Sequence, residues 1–384
     1  MKHRLQPIDW MRGIVMMIMV TDHASAAFNA DRAVSDSALF PGWQEPLDGA
    51  QFLFRWVSHL CAPVFVFLAG TSLALSVDKK IARGATAWQI DRDLLLRGLL
   101  LLVVELFFIN MFWGHGRILL QVLFAIGASM IAMVVLRRLP SVWLLAFALI
   151  SLTVGEWTRT GDFGTSGSLV DSLRALLIDG GNIPIAVGGK DGVMAAYPML
   201  PWCGIMAAGW VLGRYFLRKG DAADGEVNTA QVVRPLALTG VGLLALFAVF
   251  RGLNDFGNLG LLRMDSSVLQ WLHVSKYPPS LTFATLELGI MFLILAGLFR
   301  IDAVRGRVSG SGHPVLVFGQ TAFFFYVAHI AMLEAGAAVS GYHKAGNLWH
   351  TMIAAVAVHL ALYPMCLAFR ELKSRYPRSV LRFF

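Results

Sequence analysis

The chain has 384 residues, 57% of them hydrophobic and 15% charged, with a formal net charge of +8 and a mean hydropathy of +0.64. Soluble domains carry about a quarter charged residues, so the composition excludes an ordinary soluble enzyme, a disordered tail and a collagen-like scaffold. Three cysteines, Cys61, Cys203 and Cys366, lie in or beside apolar stretches; they offer neither a disulfide framework nor metal-ligand spacing.

Apolar runs of bilayer-spanning length recur. They predict an all-α, polytopic membrane helical bundle, a single transmembrane domain over residues 1–384. About ten helices are expected, near residues 9–28, 52–76, 94–112, 117–136, 141–156, 194–217, 235–252, 280–300, 314–336 and 348–370. With both termini cytoplasmic, about two thirds of the 32 lysines and arginines fall on the inner side, as the positive-inside rule requires. The net charge therefore reads as topology in a plasma (inner) membrane, with the lipid bilayer rather than nucleic acid as partner. A basic start and Ala24-Ser25-Ala26 imitate a signal peptide, but Asp9, Arg12 and Asp22-His23 interrupt that pattern. The outer loops 29–51, 157–193 and 253–279 are the long ones and suit a lid over a site.

The first helix enters with Arg12 and leaves with Asp22-His23. Eleven residues are close to three whole turns, so Arg12 and His23 share a face, about 16 Å apart along the axis. Ionisable residues inside spans are functional candidates by default; here they are Asp22, His23, His59, Glu105, Glu287, His329, Glu334 and His359. His23 suits a general base, or it caps the helix at headgroup level. Adjacent residues do not face each other on a helix, so Asp22 is expected to pair with another helix. His59 sits at similar depth on the next span, as a partner for His23 or as an interfacial belt residue. His329, in Phe324-Phe325-Tyr326-Val327-Ala328-His329, either serves the site or bonds a neighbouring helix. Glu105, Glu287, Glu334 and His359 read as structural glue.

Two loop motifs enter the sixth and eighth spans. They are Asp191 to Tyr197-Pro198-Met199-Leu200-Pro201-Trp202, and Lys276-Tyr277-Pro278-Pro279-Ser280. Two prolines in each motif cannot both continue a regular helix, which leaves carbonyls to be covered near the outer surface. Tyr197, Trp202 and Tyr277 suit stacking on a sugar ring, or an aromatic girdle. The glycines of 188–192 are no P-loop, since the spacing and the following Ser/Thr are absent.

In order, Arg12-Gly13 with Asp22-His23, Arg55-Trp56-Val57-Ser58-His59 to Gly70-Thr71-Ser72, Tyr197 to Trp202, Lys276 to Ser280 and Phe325-Tyr326 with His329 span nearly the whole chain. Together they resemble the bacterial membrane proteins related to heparan-α-glucosaminide N-acetyltransferase. The resemblance implies a transmembrane acyltransferase that takes an acetyl group from cytoplasmic acetyl-CoA and delivers it to an amine or hydroxyl of an extracytoplasmic sugar or glycan. Within it, Arg12 and the inner-loop residues Lys79, Lys80, Arg83 and Arg92 are expected to hold the CoA phosphates, as arginine geometry favours. His23 is the expected base, with His59 or Asp22 orienting it. Tyr197, Trp202, Lys276, Tyr277 and His329 would contact the acceptor, and no metal is implied. The eukaryotic relative carries its catalytic histidine in the first luminal loop; residues 24–54 here contain none, so that role moves to His23 or His59, or transfer is direct. A transporter or flippase for a glycan or lipid-linked sugar is the alternative, although no paired interrupted repeats are evident. A homodimer is left open.

Overall fold

A computed structural model of the chain describes residues 5–34, 36–38, 47–114, 116–158, 168–185, 192–219, 229–305, 312–376, 379 and 381. Helix α1 (Gln6–Phe28) carries Pro7 in its first turn and ends as Asn29 becomes extended; a first-turn proline has no intrahelical N–H to lose. Helix α2 (Gly49–Trp56), capped by the Asp48 side chain on the Gln51 N–H, runs towards α3 (Cys61–Ile81). The join, Val57–Leu60, is a 3₁₀ turn. Pro63 cannot donate to the His59 carbonyl and its ring crowds it, so the α ladder cannot pass through this point.

Helix α4 (Ala87–Val103), opened by a Thr86–Gln89 capping box, widens into a π turn at Val104–Ile109 before α5 (Asn110–Trp113). Then come β1 (Ile118–Leu120), α6 (Val122–Leu136), α7 (Ser141–Thr158), α8 (Leu169–Arg174), β2 (Gly181–Ile183) and β3 (Val193–Ala195). The central strand β3 runs parallel to β1 and antiparallel to β2, with Met194 opposite both Leu119 and Asn182. The remaining helices are α9 (Met199–Lys219), α10 (Thr229–Leu253), α11 (Val268–Leu272), α12 (Leu281–Arg305), α13 (Pro314–Gln320), α14 (Ala322–Ser340) and α15 (Leu348–Arg375).

Among the described residues, seven helical segments are long and apolar enough to cross a membrane: Gly49–Ile81, Ala87–Trp113, Ser141–Thr158, Gln231–Leu253, Leu281–Val304, Ala322–Ser340 and Leu348–Arg375. The chain is a helical multi-pass membrane protein. The other three expected spans differ in character. Helix α6 is apolar but 15 residues long, because 118–120 pairs as a strand instead of extending the helix over 117–136. Helices α1 and α9 have the length, 23 and 21 residues, but carry charges. The ninth expected span, 314–336, breaks at Thr321 into α13 and α14. There Gly319 lies so close to α1 that a Cβ on it would stand 1.9 Å from the Asp9 carbonyl oxygen.

Helix α1 is the centre, packing against α3, α12, α13, α14 and α15. Met11, Val15, Met16, Val20, Ala24 and Ala27 are fully buried on it. It runs antiparallel to α2–α3: Arg12 Nη2 donates to Leu68 O at 3.1 Å, Cys61 Sγ meets Val15 O at 3.2 Å, and Arg55 Nη1 lies 3.1 Å from Asp22 Oδ1. The end of the bundle where α1 begins is called proximal below, and the end where it finishes distal. Helices α3 and α9 touch backbone to backbone. A Cβ on Gly70 would stand 2.0 Å from Met206 O, and one on Gly209 1.9 Å from Phe67 O. Small residues drive this kind of packing where no hydrophobic gain separates helix from lipid.

At the distal end, 253–280 is held by a buried cation absent from the sequence expectations. Arg251 of α10 is 0% exposed. It donates to Asn258 Oδ1 at 2.7 Å, Leu261 O at 2.8 Å and Gln270 O at 2.6 Å, and also to His273 O. Four acceptors around one guanidinium satisfy carbonyls that a buried loop would otherwise leave unmatched. The prolines of both loop motifs fall before or within a first turn. Pro198 precedes α9 and Pro201 opens it, while Pro278-Pro279 precede α12. Neither helix is unwound by them. Gly188, Gly189, Lys190 and Asp191 lie outside the described residues.

Candidate active site

His23 projects from the distal half of α1 into a cavity of about 260 Å³. Its Nδ1 is 2.7 Å from His329 Nε2, and the two rings lie 8° from parallel. His329 is fully buried, and its Nδ1 is 3.0 Å from Phe325 O. A carbonyl only accepts, so His329 Nδ1 carries the hydrogen, and in the neutral ring Nε2 is then the acceptor. His23 Nδ1 must therefore donate to it. That leaves the lone pair of His23 on Nε2. Chemically, the pair built from α1 and α14 can serve as a base, His23, with a second ring that orients it.

His59 is not part of that pair, contrary to the expected meeting of the two histidines. It is fully buried, absent from the cavity wall, and its Nε2 lies 3.0 Å from Asp36 Oδ2. Asp36 belongs to the first long loop and had no sequence signal of its own. It accepts from Arg55 Nη2 at 2.8 Å, and Arg55 Nη1 reaches Asp22 Oδ1 at 3.1 Å. Arg32 Nη2 holds the same Asp22 oxygen at 2.9 Å. Asp22 thus pairs across helices and loops rather than with His23. The chain His59–Asp36–Arg55–Asp22–Arg32 braces the distal end of α1. Burial opposes the Asp36 carboxylate, yet Arg55 and the His59 ring hold it well below the usual carboxylate range.

The first loop and the segment before α12 are clasped together. Lys276 N donates to Asp36 O at 2.9 Å, and Ser37 Oγ to Tyr277 O at 2.6 Å. This brings Lys276, 3% exposed, and Tyr277 onto the cavity wall. Burial disfavours the Lys276 ammonium, but Tyr277, Asp22 and Asp36 outweigh it and hold Lys276 above its ordinary value despite the opposing charge of Arg55. Tyr197 joins them, its hydroxyl 3.4 Å from that of Tyr277. Trp202 is fully buried behind Tyr197, ring centroids 4.7 Å apart, and does not line the cavity. It sets the tyrosine rather than offering its own face.

The opposite wall comes from α5 and β1. The π turn brings Glu105 Oε1 to the Gln121 N–H, and Asn110 Nδ2 donates to Glu105 O at 2.8 Å and to Leu119 O at 2.9 Å. Glu105 and Asn110 are structural here, as expected of Glu105. They place Trp113 edge-on to His23, ring centroids 4.9 Å apart. Trp113 Nε1 donates to Glu334 Oε1 at 2.6 Å, so Glu334 also lies on the cavity wall.

A second cavity, of about 180 Å³, lies on the proximal side, lined by Arg12, Arg97 and apolar side chains such as Phe65, Leu101 and Phe323. Arg12 lines it and donates also to Ser72 Oγ. Lys79, Lys80, Arg83 and Arg92 do not line it; they lie on and beside the α3–α4 hairpin, where Lys80 pairs with Asp93. Arg97, one helical turn further along α4, is the cation the sequence reading missed. The two cavities share three side chains, Met19, Val122 and Tyr326.

A base with a defined lone pair on the distal side faces a basic, apolar-walled cavity across one shared wall. The model of the heparan-alpha-glucosaminide N-acetyltransferase catalytic family matches residues 4–251, well over half of the chain. The chain belongs to that family. Membership makes it a membrane acetyltransferase by class. No curated protein matches it. The match covers α1 to most of α10 and so contains Asp22, His23, Arg55 and Tyr197. Lys276, Tyr277, Tyr326, His329 and Glu334 lie beyond it, and geometry alone brings them to the site.

Proposed function

We propose that the chain moves an acetyl group from cytoplasmic acetyl-CoA to an amine or hydroxyl of a sugar on the other side of the membrane. The observation that carries this reading is the common wall. Arg12 and Arg97 line one cavity, His23 the other, and Met19, Val122 and Tyr326 line both. Two guanidiniums beside an apolar slot fit a phosphate-bearing donor with an uncharged arm. The proximal cavity is far smaller than sites that enclose drug-sized ligands, about 300–1,000 Å³. It would take the thioester end of the arm and leave the nucleotide outside.

In this reading the proximal end is cytoplasmic, ten helices cross the inner membrane and both termini are cytoplasmic. The acceptor sits against Tyr197 and Tyr277, with Lys276 and Arg32 beside it. His23 Nε2 takes the acceptor proton, while His329 holds the ring. His59 acts at one remove, through Asp36 and Arg55. A transporter would need the same path without a donor site; the family and the paired arginines support acyl transfer instead.

The test uses purified chain in lipid nanodiscs with radiolabelled acetyl-CoA and glucosamine as acceptor. Saturable acetyl-CoA binding and release of free CoA are expected. Absence of saturable binding overturns the reading.

A further inference from the structure

Of the three side chains shared by the two cavities, Met19, Val122 and Tyr326, only Tyr326 carries a hydrogen-bond donor. It is 3% exposed, and its hydroxyl has no hydrogen-bond partner among the described residues. A buried hydroxyl left unmatched is unfavourable, so its presence at this position calls for a partner that the site supplies. The ring lies 6.3 Å from that of His23 and 5.5 Å from that of His329, one turn away on α14. The ring therefore stands in the wall common to both cavities, beside the histidine pair.

We infer that Tyr326 is a catalytic residue whose O–H binds the oxyanion formed on the thioester carbonyl; this rests on the acetyl-transfer reading above. The acceptor nitrogen attacks the thioester carbon, and the C=O π pair moves onto oxygen, where Tyr326 donates to it. The N–H proton passes to His23 Nε2. Collapse of the oxyanion reforms C=O and breaks the C–S bond, whose electron pair leaves with CoA sulfur. His23 returns its proton to that sulfur, giving an amide and CoA thiol. A donor aimed at charge present only in the transition state raises kcat and leaves ground-state binding alone.

The experiment compares wild type and Tyr326→Phe in nanodiscs, by free CoA release with glucosamine and by acetyl-CoA binding. The variant keeps the ring and so the wall. Turnover is expected to fall about 10²–10³-fold with acetyl-CoA affinity unchanged. Turnover within twofold of wild type, or weakened binding with unchanged turnover, overturns the assignment and leaves the acetyl-transfer reading intact. A wild type that binds no acetyl-CoA sinks both. Site-specific 3-fluorotyrosine at 326 provides a second reading that preserves shape: a more acidic phenol must change kcat and its pH profile, and an unchanged profile rejects the role.

Discussion

His23 Nδ1 and His329 Nε2 are 2.7 Å apart, and the Phe325 carbonyl decides which of them donates. The consequence is asymmetric. His23→Ala should remove at least about 10² of the rate while acetyl-CoA binding persists. His329→Ala should cost less, since the base remains and only its orientation is lost. The double variant should be no slower than His23→Ala alone, because groups acting as a unit are not additive. Free CoA release in nanodiscs measures all three; a double variant slower in proportion to both singles would show that the histidines act separately.

Arg12→Ala and Arg97→Ala should each weaken acetyl-CoA binding about tenfold, equivalent to about 1.4 kcal/mol. Lys79→Ala and Arg83→Ala, outside the proximal cavity, should leave it within twofold. Equilibrium binding of labelled acetyl-CoA checks the contrast. Equal losses at all four positions would return the donor site to the α3–α4 hairpin.

Asp22→Asn removes the carboxylate shared by Arg32 and Arg55. Leaving a buried guanidinium short of its counter-charge destabilises by about 3 kcal/mol. The thermal midpoint in detergent should drop clearly, and more than for His59→Gln, which keeps a donor for Asp36.

Asp36 has its carboxyl held well below the usual range in the folded chain. Such a group contributes all its stability above the unfolded value of about 4 and loses it as pH falls towards the folded value. The thermal midpoint should be level from about pH 8 to pH 5 and drop below about pH 4. Asp36→Asn should start lower and show a shallower acid drop. Parallel profiles for the two proteins would assign the acid sensitivity elsewhere.

Gly70→Ala and Gly209→Ala each push a methyl to within about 2 Å of a backbone oxygen on the facing helix, where neither side can yield cheaply. Both should lower the yield of monodisperse protein after detergent extraction. Gly242→Ala and Gly297→Ala, whose added carbon meets nothing within 4 Å, should not.

The membrane class, the antiparallel run of α1 and α3 and the place of His23 towards the distal end of α1 were legible because hydropathy and costly intramembrane polar residues are local signals. Which histidine serves His23 was not. His59 and His329 look alike in sequence, and the choice depends on the Pro63-driven 3₁₀ turn and on where α14 crosses α1. Asp36 was hidden among loop acids, since its importance comes from Arg55 and His59, side chains that only the folded loop brings to its carboxylate. Arg97 read as one more flanking cation, and only helix rotation puts it, rather than Arg92, on the proximal cavity.

A protein that hands a group across a bilayer must not also leak. Met19 and Val122 give the shared wall hydrocarbon, and cations outnumber carboxylates on both of its sides: Arg12 and Arg97 proximally, Arg32, Lys276 and Lys344 against Asp22 and Glu334 distally. Net positive charge at each approach repels hydronium and metal ions, and the apolar part of the wall offers a water wire few hydrogen bonds. In the acetyl-transfer reading proposed above, the same wall would serve as an electrical insulator, letting a group pass while holding back the ions of a proton gradient.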